Sequence, residues 1–324
     1  MKSAFGSKKY WSVCLAVLLF WLLGMFRFEL WSIFETYWPL SLTMIFGSFI
    51  AGATAEGGGA VAFPVFTKVF SIAPEDARNF SFMIQSIGMT MAGAYMVFSK
   101  IRLLKRVLLF ALLGGIPGVL VGTEWISISG PAPRLLFSFI AAIFGAFLLY
   151  NRYVLKHKPV ELFETTKLSV TILILIGFIG GLVSSVVGVG IDILIFIVLT
   201  LAFRLNEKVS TPTTVVLMGL LSLVGFAYHA LVVDDITTEV WHYWMSCIPV
   251  VIFGAPLGAY ACHLIKRDHL IYGLLLLIGI ELISTILLIP IDSEHWLLLA
   301  IALPLCSLLF SGLLQIGKRQ KTTS

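Results

Sequence analysis

Residues 46–66 read Phe-Gly-Ser-Phe-Ile-Ala-Gly-Ala-Thr-Ala-Glu-Gly-Gly-Gly-Ala-Val-Ala-Phe-Pro-Val-Phe. An apolar run interrupted by Glu56 and by Gly57, Gly58 and Gly59 is not a plain spanning helix. Three consecutive glycines lose helix propensity and leave backbone amides without intrahelical partners. The pattern recurs about 133 residues later as Gly188-Val189-Gly190-Ile191-Asp192, again with a lone carboxylate beside the glycines. The two copies predict one membrane unit used twice, each copy folded around a broken helix.

The composition agrees. The chain has 324 residues, 59% hydrophobic and 12% charged, with a mean hydropathy of +1.01, which is the signature of a polytopic membrane protein rather than of a soluble domain. The net charge of +5 does not indicate nucleic acid, because the basic residues follow apolar segments and form no basic run with interleaved aromatics. Cys14, Cys247, Cys262 and Cys306 each stand alone in an apolar segment. That spacing predicts neither a zinc site nor a disulfide framework, and the four read as small buried hydrophobes.

In chain order, an apolar run at 10–26 lacks a small-residue cleavage pattern after it and is read as a retained first helix. Further apolar segments cover 38–55, 57–70, 79–98, 107–123 and 135–150, then 168–187, 190–203, 211–233, 243–265, 270–290 and 296–317. Most approach the ~20 residues that cross a bilayer. The exceptions, 57–70 and 190–203, are short and occupy corresponding places. The expected organisation is therefore an N-terminal tail and extra helix (1–37), a first repeat (38–150), a cytoplasmic linker (151–167), a second repeat (168–290), and an extra helix with a basic tail (291–324).

Placing the connector with Lys100, Arg102, Lys105 and Arg106 in the cytoplasm puts every Lys and Arg except Arg27, Lys68, Arg78 and Arg134 on that side. Asp234, Asp235, Glu239, Asp292 and Glu294 fall on the other. By the positive-inside rule both termini are expected in the cytoplasm. Segment 79–98 then crosses inward and its counterpart 211–233 outward, so the repeats are inverted. Gly93 with Gly225, Pro117 with Pro256, and Gly145 with Gly279 support the pairing. The predicted fold is all-α, with two inverted repeats of about five segments and broken or re-entrant Gly-rich helices. That arrangement points to a secondary transporter with a site near the bilayer midplane.

The breaks suggest the chemistry. Amides at Gly57, Gly58 and Gly59, and at Gly190 and Ile191, would lie at half-helix N-termini, where unpaired N–H groups favour an anion. Polar residues open the helices that follow: Asn79, Ser81, Gln85 and Ser86 in the first half, and Thr211-Pro212-Thr213-Thr214, read as an N-cap with proline in the first turn, in the second. Gly57, Gly58, Gly59, Ser81, Gln85, Gly188, Gly190, Thr211, Thr213 and Thr214 are the expected substrate-binding set. Carboxylates inside apolar segments face a cavity, find a partner or bind a proton. Glu56 and Asp192, beside the breaks, are expected to carry a coupling proton. Glu281 is read as structural, bonded to a neighbouring Ser or Tyr, and Lys68 as snorkelling to the outer surface. His229, His242 and His263 have no carboxylate or Cys at ligand spacing, so no metal site and no cofactor are expected.

The glycine-rich break followed by Pro64, the Gly-x-Gly-x-Asp break, the Thr-Pro-Thr-Thr stretch and the inverted halves resemble the sulfite exporter TauE/SafE family over about residues 40–288. The resemblance implies a permease of the bacterial inner membrane for sulfite, sulfoacetate, thiosulfate or related small anions. Where such sequences carry Gly-x-Gly-Gly-Gly, this one has Ala55 and Glu56 first, and Ile191 and Asp192 replace glycines in the second copy. Segments 10–26 and 296–317 lie outside the resemblance. Two other classes are opposed by the residues or left open. An intramembrane enzyme needs a catalytic set, yet the acidic pair Asp234-Asp235 sits in a short outer loop with no His or Ser constellation expected beside it. An uncoupled anion channel could use the same architecture. No Gly-x-x-x-x-Gly-Lys loop provides for ATP-driven transport.

Overall fold

A computed structural model describes residues 4–55, 57, 59–128, 130–153, 163–264, 267–288 and 312. The described residues form helices and no sheet. They are α1 (Lys8–Arg27), α2 (Ile33–Ala53), α3 (Gly59–Pro64), α4 (Pro74–Phe98), α5 (Lys105–Trp125), α6 (Ala132–Tyr153), α7 (Lys167–Val187), α8 (Ile191–Ile197), α9 (Glu207–Tyr228), α10 (Thr238–Leu264) and α11 (Arg267–Leu288). The extra C-terminal segment at 296–317, Cys306, most of the 151–167 linker, Glu56 and Gly58 lie outside the described residues.

Among the described residues, eight helices are long and apolar enough to cross a membrane: α1, α4, α5, α6, α7, α9 with its continuation to Val233, α10 and α11. The protein is a multi-pass membrane protein. Helix α2, with Glu35 in its first turn, is as long but not among the eight, and α8 with its continuation is too short. Helix α4 is the most enclosed span, whereas α1 lies at the edge with Phe20, Leu23 and Phe26 exposed, a face suited to lipid.

The element pattern of α2 to α6 recurs in α7 to α11. The agreement extends to single hydrogen bonds at an offset of 133 residues (65 to 198). Each short helix runs into a π-helical turn, Val65–Val69 or Val198–Ala202. Phe70 N donates to Val65 O at 3.2 Å and Phe203 N to Val198 O at 3.1 Å. Ile72 N donates to Phe66 O and Leu205 N to Leu199 O, both at 2.9 Å. Ser71 and Arg204 then reverse the chain with φ of 55° and 54°. Two sequences as different as Val-Phe-Thr-Lys-Val and Val-Leu-Thr-Leu-Ala keep one geometry because the shared threonine closes the turn. Thr67 Oγ1 donates to Phe63 O at 2.8 Å and Thr200 Oγ1 to Phe196 O at 2.7 Å.

Packing follows the same exchange of halves. The opening helix of each half lies along the fourth element of the other, α2 on α10 and α7 on α5, while α4 packs on α9. These helices touch backbone to backbone. A Cβ on Gly258 would fall 1.9 Å from Phe49 O, and one on Gly114 would fall 1.9 Å from Ile174 O. Small residues permit such approach where lipid offers no hydrophobic drive for helices to associate.

Two local expectations are corrected. Helix α9 begins at Glu207 with Asn206 as its N-cap, the Asn206 side chain accepting from Lys208 N at 2.9 Å. Thr211-Pro212-Thr213-Thr214 therefore lies inside the helix, more than a turn beyond its start. Asn has cap competence equal to threonine, and an interior proline is tolerated where a neighbouring hydroxyl re-satisfies the backbone. Likewise α4 begins at Pro74, with Glu75 and Asp76 in its first turn, rather than at Asn79.

Candidate functional site

The second break is built by its glycines. Helix α7 ends where Gly188 turns left-handed (φ 79°) and its N–H donates to Ser184 O at 2.7 Å, a glycine C-cap. Gly190 then adopts φ 139°, a conformation in effect reserved for glycine, and α8 starts at once. The amides exposed by this break are taken up by the chain itself. Asp192 Oδ1 accepts from Gly190 N at 3.2 Å and from Ile193 N at 3.0 Å, and Ser184 Oγ accepts from Ile191 N at 3.3 Å. The expectation of free amides at Gly190 and Ile191 thus meets a carboxylate and a hydroxyl already seated there. Asp192, near the helix start, thus puts its own carboxyl oxygen where the N-terminus would attract an anion.

The other oxygen of Asp192 has no hydrogen-bond partner, and neither does Oε1 of Gln85, although both atoms are buried. Both face the first break. A Cβ on Gly57 (φ 71°) would lie 2.6 Å from Asp192 Oδ2 and 3.0 Å from Gln85 Oε1. The Gln85 amide is held in this sense by its nitrogen, which donates to Ser81 O and to Gly188 O, each at 2.9 Å. Reversing the amide would set Oε1 against two carbonyl oxygens, so the orientation follows from the bonding pattern. Gly57, Gln85, Gly188, Gly190 and Asp192 therefore converge, joining α4 and both breaks at one point.

The remaining expected residues divide. Ser81 packs on Gly188, whose Cβ position would be 2.6 Å from Ser81 Cβ, while its hydroxyl donates to Ala77 O at 2.8 Å. Thr213 is tied elsewhere: its hydroxyl donates to Val209 O at 2.7 Å and accepts from Leu104 N at 3.1 Å, bracing the α4–α5 connector. Thr214 donates to Thr211 O at 3.1 Å. Gly59 opens α3. Beside Gln85, a cavity of about 10 Å³ between α2, α4 and α10 is lined by Met44, Ser48, Gly88, Val251 and Ala255 among others. It has room for about one water molecule, not for a multi-atom oxyanion.

Compared with known proteins, the profile of the sulfite exporter TauE/SafE family matches residues 40–285 of this chain. The chain belongs to the TauE/SafE family. No curated protein and no solved structure matches it. TauE/SafE is a family of transporters, so the convergence of Gly57, Gln85 and Asp192 is read below as part of a permease that handles a small substrate within the lipid bilayer.

Sequence reasoning missed two clusters of this TauE/SafE protein. Lys68 does not snorkel outward. Its Nζ donates to Glu281 Oε1 at 2.5 Å, to Thr285 Oγ1 at 2.7 Å and to Ser284 Oγ at 3.0 Å, and both charged side chains are almost fully enclosed. Ser138 Oγ also donates to Glu281 Oε1 at 2.6 Å, as a structural carboxylate requires. The repeat supplies a comparison: Leu201 stands at the position of Lys68 and Phe147 at that of Glu281. The other half thus carries apolar residues at both positions. Breaking a buried ion pair from one side leaves a lone charge and costs about 3–5 kcal/mol, whereas replacing both members is near neutral. Lys68→Leu is accordingly expected to lower thermal stability in detergent strongly, and Lys68→Leu with Glu281→Met to restore most of it. A single variant as stable as the parent would show that the pair carries no such weight.

The second missed cluster corrects the expectation that no histidine accompanies Asp234-Asp235. His229 Nδ1 lies 2.9 Å from Asp235 Oδ1, and Arg78 Nη2 donates to Asp235 Oδ2 at 2.8 Å. The signal was present in the spacing. Arg78, Ser81 and Gln85 fall at i, i+3 and i+7 on α4 and share one helical face.

Proposed function

We propose that this chain is a proton-coupled permease for a small anion such as sulfite, a sulfonate or a related organosulfur or carboxylate anion, working in the plasma membrane with both termini cytoplasmic and its halves inverted. The observation that carries the reading is the pair of donorless acceptors, Asp192 Oδ2 and Gln85 Oε1, facing one another's neighbourhood at the two breaks. With Asp192 ionised, neither its Oδ2 nor Gln85 Oε1 has a donor in an enclosed site. A proton on Oδ2 supplies the one missing donor and removes the charge at the same time.

That exchange couples the two species. An anion about 4 Å from an ionised carboxylate is repelled by about 4 kcal/mol at an effective dielectric constant of ~20. Protonation of Asp192 lifts the repulsion, so anion and proton enter together and leave together. Backbone amides around Gly57 and Gly59 are the neutral donors offered to the anion. The small cavity beside Gln85, between α2, α4 and α10, supports a path opened by separation of these helices.

The test is uptake of labelled sulfite into proteoliposomes containing the purified chain, with competing sulfonates, thiosulfate and small carboxylates. Accumulation that follows an imposed pH gradient is the expected result. Equilibration without accumulation would make the protein an uncoupled channel, and accumulation driven by sodium at equal pH would remove the proton from the mechanism.

A further inference from the structure

At the Pro74 end of α4 the Asp235 carboxylate sits in a cradle of donors drawn from two helices. One oxygen receives Arg78 Nη2 at 2.8 Å, the other is 2.9 Å from His229 Nδ1, and Asn79 Nδ2 donates to the Asp235 backbone carbonyl at 3.2 Å. Arg78 is itself oriented by Asn79, whose Oδ1 accepts from Nε at 3.1 Å and Nη2 at 3.0 Å. His229 is 1% exposed, stacked on Phe82 with ring centroids 5.8 Å apart, and its Nε2 lies 3.4 Å from Thr123 Oγ1. The donors are enclosed and fixed, while the Asp235 side chain is a third exposed and hangs from a loop in which Asp234 takes a left-handed φ of 55°. Burial works to raise the carboxyl pKa of Asp235, but His229 and Arg78 together hold it below the usual carboxylate range, so it is an anion at neutral pH. Of the other acids nearby, Asp76 accepts from Thr237 Oγ1 and Glu124 from Tyr228 OH, and the charges of Glu75 and Asp76 also reach Arg78.

This cradle lies in line with the break. Arg78 shares the face of α4 that carries Ser81 and Gln85, and its carbonyl oxygen would be 2.9 Å from a Cβ on Gly188. A rigid planar guanidinium with a neighbouring imidazole is a recognition set for a small oxyanion. We propose that Arg78 and His229 form an anion-binding subsite at the mouth of the transport path, and that Asp235 occupies it as a tethered competitor which an incoming sulfite-like oxyanion displaces. The inference rests on the permease reading for its purpose, but not on proton coupling.

Binding of sulfite to the purified full chain, followed by thermal shift at fixed pH, tests it without any gradient. Asp235→Asn removes the competing charge while keeping the shape. If the tether fills the subsite about nine-tenths of the time, the variant should respond at roughly tenfold lower sulfite. Arg78→Gln should need at least tenfold more sulfite than the parent, and Arg78→Lys an intermediate amount. The double variant Arg78→Gln/Asp235→Asn separates recognition from scaffolding. A subsite predicts that it binds as poorly as Arg78→Gln alone, whereas a purely structural ion pair predicts recovery once both partners are gone. Recovery in the double variant, or an Asp235→Asn protein with unchanged or weaker binding, overturns the proposal. Loss of pH-driven accumulation in the parent with these binding shifts intact would instead count against the coupling mechanism alone.

Discussion

Asp192→Asn is expected to keep sulfite exchange while losing accumulation driven by a pH gradient. With one proton carried per monovalent anion, a gradient of one pH unit supports at most about tenfold accumulation, equivalent to about 1.4 kcal/mol. The variant should bring that ratio to one. The reason lies in the bonding of the two carboxyl oxygens. Asparagine retains an acceptor for the amides of Gly190 and Ile193, which Oδ1 now serves, and its Nδ2 supplies a permanent donor where Oδ2, like Gln85 Oε1, faces Gly57. It imitates the protonated acid and cannot release the proton. Exchange at equal pH, which needs no net proton movement, separates this outcome from misfolding. An Asp192→Asn protein that still concentrates sulfite in response to a pH gradient would remove Asp192 from the coupling role, leaving Glu56 as the carboxylate to examine.

Gly57→Val should reduce transport by at least about a hundredfold. Gly57 has φ 71°, where a β-branched residue is strained by roughly 1–2 kcal/mol, and its Cβ would fall 2.6 Å from Asp192 Oδ2. Relief requires moving either the break or the buried carboxylate, and each ~1.4 kcal/mol placed on a required state costs about tenfold in rate. The long helices do not depend on this residue, so the variant should insert and elute from size-exclusion chromatography like the parent. Gly57→Ala, with the same φ but a smaller group, should fall between. Full transport by a properly inserted Gly57→Val protein would show that the substrate does not pass this loop.

Much of the site was legible because breaks are written in glycine. Gly188 and Gly190 take the left-handed and extended positive-φ backbone that their identity permits, and Gly57 does so in the first half. Asp192 stood out because a carboxylate in an apolar run needs a reason. The membrane class, the helical fold, the repeated element order and the family likewise follow from local pattern. Hydropathy and glycine placement act within a few residues of themselves.

What sequence could not supply was the pairing of side chains brought together from distant positions. The Lys68–Glu281 pair spans the fold, and spacing along the chain carries no information about which buried charge meets which. His229 and Asp235 are six residues apart, yet only the π-helical end of α9 and the turn at Asp234 set Asp235 between His229 and Arg78 of α4. The sequence by itself determined a twice-used membrane unit with two glycine breaks, since propensity and hydrophobicity are local. Only the tertiary structure decided that the amides of the second break are filled by Asp192 and Ser184, because a hydrogen bond depends on where folding sets its two ends.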